Sequence, residues 1–220
     1  MSEWFDYLIY TVCHRASFWA MMLGFSLRLE NGFRIPSHGP ALIVANHQSF
    51  LDPILVGIAT QRHLSYLARD TLFRNPAFGL FLRVLNAVPI QREGVGKDGI
   101  QAILKRLEAG AAVVVFPEGE RTHDGAMHPL RAGISLLIKR VKAPIVPVGI
   151  AGSYHAWSRW HKVPMLAPLF LPDCKATLAV SVGKPLDGRR FTDLPREQVL
   201  HELFVEMQKV QKRAERLRRE

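Results

Sequence analysis

The chain has 220 residues, 48% of them hydrophobic, and its 29 Lys and Arg residues outnumber 19 Asp and Glu residues to give a formal charge of +10. This composition excludes a disordered chain, a collagen-like repeat and a small disulfide-stapled domain. Cys13 and Cys174 lie far apart and outside any CxxC pair, so neither a disulfide framework nor a structural zinc site is expected. Most of the positive excess lies within residues 121–190, which indicates an anionic partner: nucleic acid, an anionic membrane or a phosphorylated ligand.

The first 27 residues have the apolar character of a membrane span without its continuity. Asp6 and Arg15 interrupt the apolar sequence, and the longest stretch without a charged residue, 16–27, has twelve residues. A spanning helix needs about 20 residues, and a secretory signal carries positive charge ahead of its apolar run, so neither is expected. We predict a helical segment over residues 1–27, made of two short helices or one broken helix, lying in a membrane interface. The alternative is a helix packed on the core of the domain that follows.

From residue 28 onward, short runs rich in β-branched residues alternate with amphipathic helical patterns. Buried strands are predicted at 41–45, 64–68, 112–116, 145–150 and 177–182. Helices are predicted from Asp52 onward, over 98–109, over 131–142 and over 195–220. This alternation predicts a single three-layer α/β domain over residues 28–220, with helices on both sides of a central mixed sheet and a C-terminal helix.

The aromatic residues cluster in two stretches. All four Trp and three of the four Tyr fall within residues 4–19 and 154–160. Trp and Tyr concentrate where an apolar medium meets water, so four residues are predicted at a membrane interface: Trp4, Trp19, Trp157 and Trp160. Residues 153–172 also carry basic side chains before an apolar tract, so we expect this stretch and residues 4–27 to form one membrane-facing surface. The alternative is a buried cover over the sheet.

The segment NHQSFLD, residues 46–52, directly follows a predicted strand and opens a helix. Its spacing lets the Asp52 carboxylate fold back towards the His47 imidazole, fix its tautomer and stabilise its protonated form. The second imidazole nitrogen would then act as a general base. The alternative is that Asp52 is a plain helix N-cap and His47 a polar turn residue.

The segment FPEGERT, residues 116–122, directly follows another apolar strand. Gly119 lets the backbone approach a ligand closely, and Arg121 offers a planar fork that suits a phosphate. Arg92 follows a further short apolar run and could supply a second guanidinium. Two Arg side chains at the ends of adjacent strands would form a phosphate clamp, whereas either Arg alone is more often a surface or ion-pair residue.

Four segments in order resemble the four motifs of the glycerolipid acyltransferases: NHQSFLD at 46–52, PIQR at 89–92, FPEGERT at 116–122 and IVPV at 145–148. Within that family the chain is most similar to the bacterial enzymes that acylate lysophosphatidic acid. The resemblance implies that His47 is the general base for the acceptor hydroxyl and that Asp52 orients and charges it. The hydroxyl would attack an acyl thioester directly.

The resemblance also implies a substrate-binding set: Arg92, Glu118, Gly119, Arg121 and Thr122 around the acceptor phosphate, and Pro147 in the pocket wall. The third motif often reads EGTR followed by Ser, whereas this chain has Glu120 between Gly119 and Arg121. Glu120 therefore places a negative charge beside the predicted phosphate site, unless its side chain points to the other side of the chain.

The implied reaction moves a fatty acyl group from acyl-CoA or acyl carrier protein to lysophosphatidic acid and gives phosphatidic acid. It needs no metal or other cofactor. The expected partners are membrane lipids, the lysophospholipid acceptor and the acyl donor, and the expected location is peripheral, on the cytoplasmic face of the cell membrane. Another lysophospholipid or glycerol 3-phosphate is an alternative acceptor. A nucleic-acid-binding module is disfavoured, because the Trp residues lie among long apolar tracts.

Overall fold

A mixed sheet of seven strands forms the centre of the molecule in a computed structural model that describes residues 3–90, 97–169 and 175–220. The strands are β1 (Arg28–Glu30), β2 (Ala41–Ala45), β3 (Leu64–Arg69), β4 (Ala87–Ile90), β5 (Ala112–Val115), β6 (Ile145–Ala151) and β7 (Ala179–Val182). The helices are α1 (Glu3–Phe25), α2 (Asp52–Ile58), α3 (Pro76–Val84), α4 (Lys97–Glu108), α5 (Gly133–Arg140), α6 (Ser153–Trp157) and α7 (Arg196–Leu217), with 3-10 turns at Gly32–Arg34, Asp70–Phe73 and Gly188–Phe191.

The strand order across the sheet is β1-β7-β6-β2-β5-β3-β4. Neighbouring strands are parallel except β6 and β7, which are antiparallel. The strands β2, β3, β4, β5 and β6 therefore end at one edge of the sheet, which α/β folds commonly use to bind ligands. This mixed sheet with helices on both faces confirms the predicted fold class.

Both faces of the sheet are covered by apolar side chains. In β2, Ala41, Ile43 and Ala45 pack into one core with α1 and α2. The alternate residues, Leu42 and Val44, pack into a second core with α4, α5 and α7. Every residue of β2 is buried, which explains why its sequence is continuously apolar.

The N-terminal segment forms one continuous helix, so the prediction of two short helices or a broken one is wrong. Charged residues interrupt an apolar run without breaking backbone hydrogen bonds, and residues 3–23 contain neither Gly nor Pro. The helix ends at Phe25, and the next residue, Ser26, adopts a left-handed backbone conformation. Tyr10, Met21 and Phe25 are buried against the domain. None of the helices in the described ranges combines the length and the apolar character needed to cross a bilayer.

Other predicted elements are present with shifted ends. The helices predicted over 98–109 and 131–142 are α4 and the shorter α5, and the strand predicted over 177–182 begins at Ala179. Sequence analysis missed β1, which has three residues at the sheet edge, and the helix α3. A three-residue strand has too few positions for a hydrophobic period to be visible.

Helix α7 lies directly on the sheet because Gly149 has no side chain. A Cβ atom at this position in β6 would lie 2.2 Å from the carbonyl carbon and oxygen of Val210 and 2.4 Å from the Gln211 nitrogen. Both are backbone atoms of α7, and they cannot move without shifting the helix.

We expect Gly149→Ala to lower the free energy of unfolding by about 2 kcal/mol or more, because overpacking would force α7 away from β6. Urea unfolding followed by circular dichroism measures this change. The control is Gly24→Ala, where the nearest atom to the added carbon is a Leu166 methyl at 3.7 Å. The control should change stability by about 0.5 kcal/mol or less. Equal effects of both substitutions would contradict this account of the packing.

Candidate active site

The candidate site lies where β2 and β5 end. The two strands are parallel neighbours, so the segments that follow them, 46–52 and 116–122, meet at one edge of the sheet. Asn46 fixes the first segment: its side-chain amide donates to the Ile150 carbonyl (3.0 Å) and accepts from the Ile150 N–H (2.8 Å). The side chain of Asn46 thus holds the turn after β2 to the end of β6.

His47 and Asp52 form a hydrogen-bonded pair. The distance between His47 Nδ1 and Asp52 Oδ2 is 2.8 Å, and the imidazole stacks on the Phe116 ring with 4.1 Å between centroids. Asp52 is fully buried, whereas the His47 side chain retains 18% of its exposure. With Nδ1 committed to Asp52, Nε2 is the nitrogen that can take a proton from a ligand.

Three further donors hold the Asp52 carboxylate. Oδ2 accepts the backbone N–H groups of Gln48 (2.5 Å) and Ser49 (2.6 Å), and Oδ1 accepts the hydroxyl of Ser153 (2.7 Å). These donors precede α2 or come from the start of α6. Leu51, one residue earlier than predicted, is the N-cap of α2. The plain N-cap interpretation of Asp52 therefore does not describe its contacts.

Glu118, in the segment 116–122, is hydrogen-bonded to the segment 46–52. Its Oε1 accepts the N–H of His47 (2.7 Å), and its Oε2 accepts the N–H of His128 (2.8 Å). Desolvation raises the pKa of this buried carboxyl group to about 7, and the nearby charge of Asp52 also raises it, against the lowering effect of the two hydrogen bonds. Both oxygens bind backbone groups, so Glu118 acts on the site by fixing the position of His47. A direct role in phosphate binding remains a prediction.

The rest of the third motif shapes the loop around His47. Gly119 has a φ of 80°, and a Cβ there would lie 2.8 Å from the Arg131 side chain. The N–H of Thr122 donates to the His47 carbonyl (2.9 Å), and its hydroxyl donates to Asp124 (2.9 Å). The backbone of His47 is therefore bound on both sides by this loop.

A cavity of about 380 Å³ lies beside the third motif, and Arg121 lines it. The Arg121 guanidinium lies 3.5 Å above the Phe50 ring centroid, a cation–π contact that restrains the side chain. The residues around the cavity are Glu118, Glu120, Arg121, Thr122, His123, His128, Pro129, Leu130, Arg131 and Ala132. Of the predicted substrate-binding residues, Glu118, Arg121 and Thr122 meet here.

Arg92 and Pro147 are the remaining predicted substrate-binding residues. Arg92 lies outside the described residues. The expectation that it and Arg121 follow adjacent strands is wrong, because β3 separates β4 from β5. Pro147 is buried within β6, on the side that faces Gly183, after β7, and Val210, in α7. Its ring thus lies on the side of the sheet that α7 covers, and its role in the pocket wall stays a prediction.

Three of the four predicted interface Trp residues are exposed to solvent: Trp4, Trp19 and Trp160. Trp157 instead packs partly against the core beneath α1, and its ring lies 5.6 Å from that of Phe50. Trp157 therefore packs as the alternative interpretation of residues 153–172 predicts, as part of a cover over the sheet.

Sequence reasoning missed Gln48 and Ser153. The Gln48 side chain donates to the Gly125 carbonyl (2.8 Å) and accepts from the Ser153 hydroxyl (3.2 Å). Ser153 directly follows β6, at the sheet edge where the segments after β2 and β5 also lie. That shared position is the signal that could have identified it.

Comparison with known proteins places this geometry in a family. The Acyltransferase family profile matches residues 26–151, more than half of the chain. The chain belongs to the Acyltransferase family. The matched region includes β2, β5 and β6 and therefore the whole His47, Asp52 and Glu118 arrangement of this acyltransferase.

Several curated relatives share one name. The 1-acyl-sn-glycerol-3-phosphate acyltransferase of Bacillus subtilis (strain 168) is 27% identical over 193 residues, 87% of this chain and 89% of that protein. The enzyme of the same name from Streptococcus pneumoniae is 29% identical over 113 residues, which cover 50% of this chain and 41% of that protein. The chain thus spans nearly all of the first relative and less than half of the second.

A solved structure shares the fold of this acyltransferase. The crystal structure of the 1-acyl-sn-glycerophosphate acyltransferase PlsC from Thermotoga maritima superposes with a TM-score of 0.76 and 21% identity. The match covers 94% of this chain and 80% of that chain. The likeness extends beyond the region matched by the family profile to the helices at both ends.

We expect Ser153→Ala to lower kcat of this acyltransferase about tenfold with KM unchanged, because Asp52 would lose a hydrogen bond that orients it. Steady-state acyl transfer measures both constants. Ser49→Ala is the control, since the Ser49 hydroxyl donates to the Trp157 carbonyl (2.6 Å) and only its backbone contacts Asp52. A rise in KM without loss of kcat, or equal losses in both variants, would contradict a positioning role for Ser153.

Proposed function

We propose that this protein transfers a fatty acyl group from an acyl thioester to the free hydroxyl of lysophosphatidic acid, forming phosphatidic acid. The observation that carries the proposal is the hydrogen bond between His47 Nδ1 and the fully buried Asp52, which leaves Nε2 as the proton acceptor. The names of the relatives support the choice of acceptor.

The proposed reaction is a direct transfer. His47 Nε2 takes the proton of the acceptor hydroxyl as its oxygen attacks the thioester carbonyl carbon. A new C–O bond forms, the C–S bond breaks, and the leaving thiolate takes the proton from the imidazolium. Asp52 stabilises the imidazolium between these steps. Atoms and charge balance without a covalent intermediate on the enzyme.

The cavity beside the third motif presents two guanidinium groups to which a phosphate monoester could bind. Arg121 and Arg131 both line the cavity. Guanidinium groups bind phosphate oxygens through paired hydrogen bonds. The donor in this proposal is acyl-CoA or acyl carrier protein, both of which present the same thioester to His47.

We also propose that the protein is peripheral and binds the cytoplasmic face of the cell membrane through one apolar surface. On α1 this surface exposes Trp4, Tyr7, Val12, Trp19 and Leu23, and the segment 160–169 exposes Trp160, Val163, Met165, Leu166 and Leu169. The two parts are joined, since the N–H of Ala167 donates to the Gly24 carbonyl (2.9 Å) and that of Leu169 to the Leu23 carbonyl (3.3 Å). A contiguous apolar surface of this kind is typical of proteins that bind lipid.

Basic side chains border this surface. Arg159 directly precedes the segment 160–169 in the chain, and the exposed Lys162 lies within it. Each basic residue near an anionic membrane contributes roughly 1 kcal/mol to binding. The surface therefore combines apolar contact with attraction to anionic headgroups.

His47→Ala should lower turnover by about 10²-fold or more, the loss expected when a general base is removed. The assay uses purified protein bound to vesicles. Three acceptors are supplied in parallel, lysophosphatidic acid, lysophosphatidylcholine and glycerol 3-phosphate, each with acyl-CoA or with acyl carrier protein as the donor. His201→Ala is the matched control, because His201 is exposed on α7.

We expect phosphatidic acid to form selectively and its formation to be lost only in His47→Ala. The donor that supports this reaction, acyl-CoA or acyl carrier protein, is then identified in the same assay. Near-normal transfer by His47→Ala would disprove the mechanism. Transfer only to another acceptor would disprove the proposed substrate while leaving the role of His47 intact.

Trp19→Ser should weaken binding to anionic phospholipid vesicles about tenfold, because a large apolar side chain would be lost from the lipid-facing surface. Vesicle co-sedimentation at fixed salt measures the bound fraction. Leu136→Ser is the control: Leu136 is 53% exposed, close to the 57% of Trp19, but lies on α5 on the opposite face of the sheet. Equal losses in both variants, or no vesicle binding by the unaltered protein, would contradict the proposed surface.

A further inference from the structure

A carboxylate lies among basic side chains at the cavity beside the third motif. Glu120 Oε1 lies 2.7 Å from Arg131 Nη2, and its Oε2 lies 3.7 Å from Arg159 Nη1 and 3.5 Å from His123 Nε2. One side chain thus faces three basic groups from three different parts of the chain. We refer to Arg131, Arg159 and His123 as the basic cluster.

The basic cluster is attached to the catalytic segment. Glu120 lies between Glu118 and Thr122, which bind the backbone N–H and carbonyl of His47. Arg159 Nη1 also donates to the Arg121 carbonyl (3.1 Å), and Arg131 Nε donates to the Glu118 carbonyl (3.2 Å). The cluster therefore adjoins the loop that holds the backbone of His47.

Glu120 is ionised at neutral pH. Desolvation, its largest single influence, raises the pKa of this carboxyl group. The hydrogen bond with His123 and the charges of Arg131 and Arg159 together outweigh desolvation and lower the pKa below its ordinary value. The carboxylate is thus the anion that this cluster binds when no other anion is present.

A phosphate monoester makes the same kind of contact with greater charge. It offers up to two negative charges and three oxygens to guanidinium groups, whereas Glu120 offers one charge and two oxygens. The Arg131 side chain is 61% exposed and that of Glu120 is 39% exposed, so both can turn towards or away from a ligand without unpacking the core. Exchange of one anion for the other needs only side-chain rotation.

We propose that the basic cluster binds the phosphate of the acceptor and that Glu120 determines headgroup specificity by competing with that phosphate for Arg131 and Arg159. This inference rests on the proposed function and deepens it. The carboxylate weakens the binding of every phosphate monoester, whether it belongs to a lipid headgroup or to free phosphate. Acceptors without a phosphate bind without displacing it.

Glu120→Gln tests the competition because it removes the charge and keeps the shape. An exposed ion pair contributes at most about 1 kcal/mol. We therefore expect KM for lysophosphatidic acid to fall about fivefold with kcat unchanged, and inorganic phosphate to inhibit at an about fivefold lower concentration. Arg131→Gln should raise both the KM for lysophosphatidic acid and the inhibitory concentration of inorganic phosphate. KM for an uncharged acceptor, 1-acylglycerol, should be the same in all variants.

Glu202→Gln is the matched control. It removes an ion pair with Arg190 of similar length (2.9 Å) near the start of α7, outside the cavity. We expect neither KM nor phosphate inhibition to change in this variant.

An unchanged or higher KM in Glu120→Gln would overturn the inference, since the carboxylate would then serve to hold Arg131 and Arg159 in place. An equal fall in KM for 1-acylglycerol would also overturn it. Binding of inorganic phosphate, measured by calorimetry, separates this inference from the proposed function. If the protein acylates no lysophosphatidic acid but Glu120→Gln still binds phosphate more tightly, the proposed function fails and the competition stands.

Discussion

The complete burial of the Asp52 carboxylate is the constraint on which the rest of the site depends. A buried charge costs several kcal/mol unless donors surround it. Here the four donors come from two places: His47, Gln48 and Ser49 in the turn after β2, and Ser153 after β6. The turn after β2 therefore has to curl around Asp52, and the parallel pairing of β2 with β6 has to bring Ser153 to its other side. The position of His47 follows from these requirements.

Burial of Glu118 makes the stability of the fold depend on pH. Its pKa, raised to about 7 chiefly by desolvation, means that it binds protons more tightly in the folded protein than in the unfolded chain, where the value is near 4.5. Its contribution to stability is fully present below pH 4.5 and is lost as the pH rises through about 7. Ionisation, however, leaves both oxygens free to accept the N–H groups of His47 and His128. Stability and loop positioning therefore favour opposite protonation states of one carboxyl group.

The sequence was sufficient where the relevant contacts are local. Strand β2 is a continuous apolar run, and His47 and Asp52 are five positions apart, so both could be predicted from neighbouring residues. Ser153 is separated from Asp52 by 101 positions, and Arg131 from Glu120 by 11, across a loop without a periodic pattern. Such pairs depend on strand register and on the path of the loop, and neither can be read from the pattern of neighbouring residues. The misreading of α1 has another cause, because hydropathy reports burial and not the continuity of backbone hydrogen bonds.

The position of Phe50 explains how one edge of the sheet can serve both an apolar and a phosphorylated part of an acceptor. Its ring is 49% exposed, contacts the Arg121 guanidinium and also lies near the Trp157 ring. The basic cavity therefore adjoins an aromatic pair, and His47 lies three residues before Phe50. In lysophosphatidic acid the free hydroxyl lies between a phosphate and an acyl chain. In the proposed reaction, a base at this boundary would meet that hydroxyl with the acyl chain in the membrane and the phosphate in the cavity. The same boundary would place a purely polar or purely apolar acceptor badly, because neither could occupy both sides at once.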